Sequence, residues 1–162
     1  MNEAAWRDYL LIWLSFIIAC ILQITPLPNE LIDFRPSWLM LVCFYWAMAL
    51  PQRVSVGTAF ILGVLWDIML GSTLGIRGFM MSIVIYLVAL NFQMLRNMSL
   101  WQQAVVLTLL TLVGKLIIYM FEYSISPVKF EPSMFLGGIF NFILWPWLFL
   151  LLRRFRRQLA IG

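Results

Sequence analysis

Histidine is absent from this chain, and charge is scarce at 11% of residues. Without histidine, the commonest general base and metal ligand are missing. Nor is there a Gly-x-Ser-x-Gly elbow, a phosphate-binding glycine loop or a dinucleotide fingerprint. No two carboxylates stand at helical spacing within the apolar runs to hold a metal. The loops are too short to hide a catalytic domain, so the expectation is a protein that is not an enzyme and carries no cofactor. Cysteine occurs twice, as Cys20 and Cys43, both inside apolar runs. Neither a disulfide framework nor a metal site is indicated, and both read as small packing residues.

What the chain has in excess is apolar surface. Hydrophobic residues make up 64% of 162, against about 45–50% in a soluble domain. A globule of this size could not hide so much from water, so the expected solvent is a bilayer. The net charge of +4 does not point to nucleic acid, because the basic residues stand at segment ends rather than on one polar face. The first apolar run is long and lacks a clear cleavage site, which reads as a span rather than a signal peptide.

Prolines and charges divide the chain into six apolar segments, at 9–24, 36–50, 54–70, 75–92, 100–123 and 134–152. Each should be helical, since backbone exposed to lipid must satisfy its own hydrogen bonds. The second segment covers only about 22 Å at ~1.5 Å per residue, short of a ~30 Å hydrocarbon core. A short crossing helix is the first reading and a re-entrant segment the alternative. With the N-terminus inside, Arg7, Arg53, Arg96, Arg153, Arg154, Arg156 and Arg157 fall on the inner side. Arg35, Arg77 and Lys129 fall outside. Seven against three puts both termini in the cytoplasm. The fold expected is a single all-α domain of six transmembrane helices. The basic C-terminus reads as a topology signal attracted to anionic membrane lipid, with docking of a cytoplasmic partner as the second reading.

One carboxylate, Asp67, lies within the third apolar run. Ala59, Gly63, Asp67 and Gly71 recur every four residues and share a helix face. Small residues at that spacing admit another backbone, so Asp67 should face protein. Facing lipid would cost at least ~2.5–3.5 kcal/mol. Counting ~1.5 Å per residue from the inner end, Asp67 stands about 20 Å up its helix and Lys115 about 21 Å up its own. Gln23 reaches a similar level and Asn141 lies slightly deeper. These four form an expected intramembrane polar cluster, either an internal ion pair with amide partners or a polar pocket opening outward. Gly71, Ser72, Gly75 and Arg77 read as the outer turn, with Arg77 reaching the interface or turning back to Asp67 as a competing partner. Aromatics mixed with single charges in the outer loops mark a candidate partner interface: Phe34, Arg35 and Trp38 on one side, Val128, Lys129 and Phe130 on the other.

Several runs carry a resemblance. They are Phe34-Arg35-Pro36-Ser37-Trp38, Tyr45-Trp46, Leu50-Pro51-Gln52-Arg53-Val54, then Gly57, Gly63 and Asp67, then Gly71-Ser72-Thr73-Leu74-Gly75. Leu100-Trp101-Gln102-Gln103 and Leu144-Trp145-Pro146-Trp147 extend it over nearly the whole chain. In order and spacing they resemble the MreD family of bacterial rod shape-determining proteins. The resemblance implies a multi-pass inner-membrane component of the cell-elongation machinery, similar in helical arrangement to the substrate-binding membrane subunits of energy-coupling-factor transporters. It implies a non-enzymatic scaffold that binds MreC directly. Through the complex it would reach MreB and the rod-specific peptidoglycan polymerase and transpeptidase. The alternative function is a membrane-embedded small-molecule or lipid-binding subunit with an outward-facing polar pocket. Lys115 belongs to none of the matching runs.

Overall fold

The computed structural model describes residues 3–26, 28–30, 37–71, 74–127, 129 and 136–159. Those residues form seven helices and no strand. They are α1 (Glu3–Ile24), α2 (Trp38–Ala49), α3 (Val56–Leu70), α4 (Ile76–Leu90), α5 (Phe92–Asn97), α6 (Leu100–Ile125) and α7 (Leu136–Gln158). Helices α1, α6 and α7 are long and apolar enough to cross a membrane, and α2, α3 and α4 are shorter apolar helices. Five of the six apolar segments correspond to a single helix each. The fourth breaks at Asn91, where α4 ends, and the short α5 begins on the other side of that residue.

Helix α2 is the core of the molecule. Every residue from Leu39 to Ala49 is buried. A helix apolar on all sides has no solvent face to offer, and the other helices enclose it. Phe44 and Tyr45 meet Trp145 and Phe149 of α7 edge to face, at 5.1 and 5.4 Å between ring centroids. The Trp46 indole N–H donates to Ser15 Oγ of α1 at 2.9 Å.

The outside of the bundle is apolar as well. Ile17 and Ile21 of α1, Leu109 and Met120 of α6, and Ile143 and Leu151 of α7 are all more than half exposed. Soluble monomers rarely expose apolar patches on this scale. Lipid tails are the solvent that such a surface fits.

Tight packing follows the small residues. A Cβ on Gly63 would run into the Gly78 backbone and come within 2.7 Å of the Arg77 carbonyl oxygen. Helices α3 and α4 therefore approach backbone to backbone, and Ala59, Gly63 and Asp67 are buried along that face as their spacing predicts. Gly71 leaves the pattern. It caps α3 in the left-handed region at φ 65°, where glycine carries no steric penalty.

Helices α1 to α4, α6 and α7 alternate in direction. One end of the bundle carries the α3–α4 turn, and the other carries the start of α1, the end of α7 and all of α5. At this terminal end Asp8 accepts from Arg53 Nη1 at 3.0 Å, and Arg53 lies over the Tyr9 ring.

Candidate functional site: polar side chains at the helix ends

Buried within an apolar bundle, a helix that stops short leaves amide and carbonyl groups without partners. The buried polar side chains of this protein meet that demand. At the start of α2, the Ser37 N–H donates to Asn141 Oδ1 of α7 at 3.0 Å. The Trp38 N–H donates to Gln23 Oε1 of α1 at 2.9 Å. Asn141 Nδ2 in turn donates to Thr111 Oγ1 of α6 at 3.4 Å. Serine at the cap position of α2 does not use its own side chain, and the acceptors arrive from two other helices.

The other end of α2 is closed the same way. Arg96 of α5 donates from Nε to the Met48 carbonyl at 2.9 Å, and from Nη2 to the Ala49 carbonyl. A cation against the last carbonyls also suits the helix dipole. Gln103 Nε2 donates to the Leu95 carbonyl of α5 at 2.7 Å, while its Oε1 accepts from Trp145 Nε1 at 3.4 Å.

Asp67 does the equivalent for α4. Its Oδ2 accepts from the Gly75 and Arg77 amides at 3.0 and 3.2 Å, and its Oδ1 accepts from Arg77 Nη1 at 3.2 Å. A fully buried carboxylate thus receives the first amides of a helix, at the positive end of its dipole, together with a guanidinium. Asp67 forms an ion pair with Arg77, the residue that can turn back to it from the outer turn. The reason is the short turn. Ten residues separate Asp67 from Arg77, and the Gly71 and Gly75 conformations, at φ 65° and 93°, fold them together.

Lys115 and Arg77 line one cavity. A cavity of about 290 Å³ at the turn end is lined by Gln23, Trp66, Arg77, Thr111, Lys115 and Glu122 among others. Arg77 lies over the Trp66 ring at 5.5 Å. The Trp66 indole N–H is buried and meets no acceptor among the described residues. The depth reasoning that grouped Gln23 with Lys115 corresponds to this shared wall. Asn141 and Asp67 sit just behind it, holding α2 and α4.

Of the candidate partner residues, Trp38 is half-buried and engaged through its amide, and Lys129 is exposed. Phe34, Arg35, Val128 and Phe130 lie outside the described residues, as does Ser72 of the outer turn. Two free cysteines are present, Cys43 buried and Cys20 half-buried in the packing. Sequence reasoning missed the roles of Arg96, Gln103 and the Asp8–Arg53 pair. A charged or amide residue next to an apolar run was the available signal, read there only as a topology mark.

Comparison with known proteins adds an independent line. A family model described as rod shape-determining protein MreD matches residues 7–155. The rod shape-determining protein MreD of Haemophilus influenzae is 40% identical over 146 residues, covering 90% of this chain and 90% of its own. No solved structure matches the chain.

Proposed function

Since the chain belongs to the MreD family of rod shape-determining proteins, we propose that it is a non-enzymatic scaffold of the cell-elongation machinery in the bacterial inner membrane. In this reading it binds MreC directly. Through MreC it is coupled to MreB and to the rod-specific peptidoglycan polymerase and transpeptidase, and so to peptidoglycan synthesis and cell shape. In this reading the chain crosses six times with both termini in the cytoplasm, in an arrangement similar to the membrane subunits that bind substrate in energy-coupling-factor transporters.

The observation that carries this reading is the use made of the polar side chains. Asp67, Gln23, Asn141, Arg96 and Gln103 are engaged in holding helix ends. A bundle fixed in this way offers a rigid apolar flank to a single transmembrane helix of a partner. Helix association in lipid rests on packing and a few polar anchors rather than on hydrophobic drive. Exposed Lys129 and half-buried Trp38 supply such anchors at the turn end.

Crosslinking in intact membranes tests the partner. A cysteine at Lys129, with Cys20 and Cys43 replaced, should capture MreC, and a cysteine at Arg154 should not. Capture from Arg154 alone would put the partner at the terminal end and overturn the outer-face arrangement.

A second reading is favoured by the orphan Trp66 N–H on the 290 Å³ cavity. A buried donor without an acceptor is costly, and a ligand oxygen would satisfy it. That cavity would then hold a small molecule or a lipid headgroup. Native purification separates the two readings: co-purified MreC with an empty cavity supports the scaffold, and a stoichiometric bound small molecule supports the pocket.

A further inference from the structure

A second cavity, of about 360 Å³, lies at the opposite end of the bundle. Arg96 of α5 and Arg153 and Arg156 of α7 line it, with Tyr45, Gln103 and Phe149. Phe149, Arg153 and Arg156 recur at helical spacing and so share the face of α7 turned to the end of α2. Arg154 and Arg157 do not line it.

Charge here is unbalanced. Arg96 is engaged by the Met48 and Ala49 carbonyls. Among the described residues, Arg153 and Arg156 form no ion pair. The carboxylates described at this end are Glu3 and Asp8, and Asp8 is taken by Arg53. Two guanidiniums therefore converge on a cavity that already contains a third, with no anion to answer them. An anion from outside would answer that charge.

We propose that this cavity seats the phosphodiester of an anionic phospholipid. Guanidinium forks match phosphate oxygens two at a time. Basic pockets between helices on the cytoplasmic side of a membrane are sites of this kind. The neighbouring surface supplies the rest of the lipid's chemistry. Met48, Ala49 and Phe149 line the same cavity and give it an apolar flank for the start of the acyl chains. A free inorganic phosphate shares the charge but would make no use of that apolar flank. The proposal rests on the placement of the terminal end in the cytoplasm and is independent of MreC binding.

The test uses the purified full chain in detergent. It is titrated with short-chain phosphatidylglycerol, phosphatidylcholine or inorganic phosphate, and retention is read by native mass spectrometry. Phosphatidylglycerol should be retained over phosphatidylcholine, and inorganic phosphate at equal concentration should not displace it. Replacing both cavity arginines, Arg153→Gln with Arg156→Gln, should weaken that retention about tenfold or more. The control, Arg154→Gln with Arg157→Gln, removes the same charge from outside the cavity and should leave it within about twofold. Single Arg153→Gln should fall between, and unchanged helical circular dichroism shows that each variant folds. Equal losses in both double variants would reduce the effect to general surface charge and overturn the site. No loss in the cavity variant overturns it too. Displacement by inorganic phosphate overturns the lipid as occupant. MreC crosslinking from Lys129 is scored separately, so failure of either idea is visible without the other.

Discussion

Asp67 shows what a single buried charge does in this protein. It accepts two amides and one guanidinium hydrogen bond across a turn. Removing the carboxylate takes an ion-pair partner from Arg77, whose side chain is only 17% exposed. Asp67→Ala or Arg77→Ala alone should each destabilise by on the order of 3 kcal/mol. Removing both should cost clearly less than the sum, with a coupling of about 0.5–3 kcal/mol in a double-mutant cycle followed by unfolding in mixed micelles. Additive losses would show that the pair does not act as a unit. Glycine gives a second test at the same scale. Gly63→Ala forces α3 away from the α4 backbone and should destabilise by several kcal/mol, as overpacking does at ~1–3 kcal/mol or more. Gly57 has only Ser55 Oγ within 4 Å of a new Cβ, at 3.9 Å. Gly57→Ala should therefore be neutral or stabilise by about 0.5–1 kcal/mol through helix propensity. Thermal unfolding of the two variants side by side reads the difference.

Helix α2 defines the scale of the element. It is 12 residues long, about 18 Å at ~1.5 Å per residue, and Ser37 before it and Ala49 at its end are both buried. Its first amides are held by Asn141 and Gln23, and its last carbonyls by Arg96. Asn141→Leu strands the Ser37 N–H and should cost about 1–3 kcal/mol. Arg96→Leu strands two carbonyls and should cost a similar amount, about 1–3 kcal/mol. The two sites lie at opposite ends of the helix, so the double variant should equal their sum within about 0.5 kcal/mol. Hydrogen exchange adds a local readout. Asn141→Leu should speed exchange at Ser37, Trp38 and neighbouring amides while leaving α6 protected. Uniform acceleration would mean that the cap serves the whole bundle rather than the start of α2. None of this was legible locally. Capping signals in sequence are read within a few residues, as with Ser99 and Gln102 at the start of α6, where each bonds the other's backbone. At α2 the partners come from 15 residues upstream and 104 downstream, and nothing in a linear pattern announces them.

For the molecule as a whole, topology is the decisive measurement. Reporter fusions after Gly162 and within 93–97 should read cytoplasmic, and fusions within 125–131 should read periplasmic. A periplasmic C-terminus would overturn six crossings. The same charges carry structural and topological duties at once. Arg53 holds Asp8, Arg96 caps α2, and Arg153 and Arg156 face a cavity. Replacing Arg96 should thus affect stability more than orientation, since the remaining basic residues of the terminal end still outnumber those at the turn end.

The sequence by itself determined the class of solvent, the helical content and the facing of Asp67. Composition is a sum over residues, and helical spacing is a local geometric fact, so neither needs the partner helices to be known. The family was legible too, because its motifs lie in order along the chain. Only the tertiary structure decided which groups meet. Depth along a helix fixes one coordinate, and Lys115 and Arg77 both satisfy it for Asp67. The φ values of Gly71 and Gly75, and the close approach of α3 and α4 at Gly63, supply the other two coordinates that bring Arg77 to Asp67. The same holds for Gln23 and Asn141. Their polarity in an apolar run demanded a partner, and the partner is the backbone of a helix that ends inside the bundle. A side chain's need for a hydrogen bond is written in its chemistry, whereas the identity of the group that answers it is set by how distant segments pack.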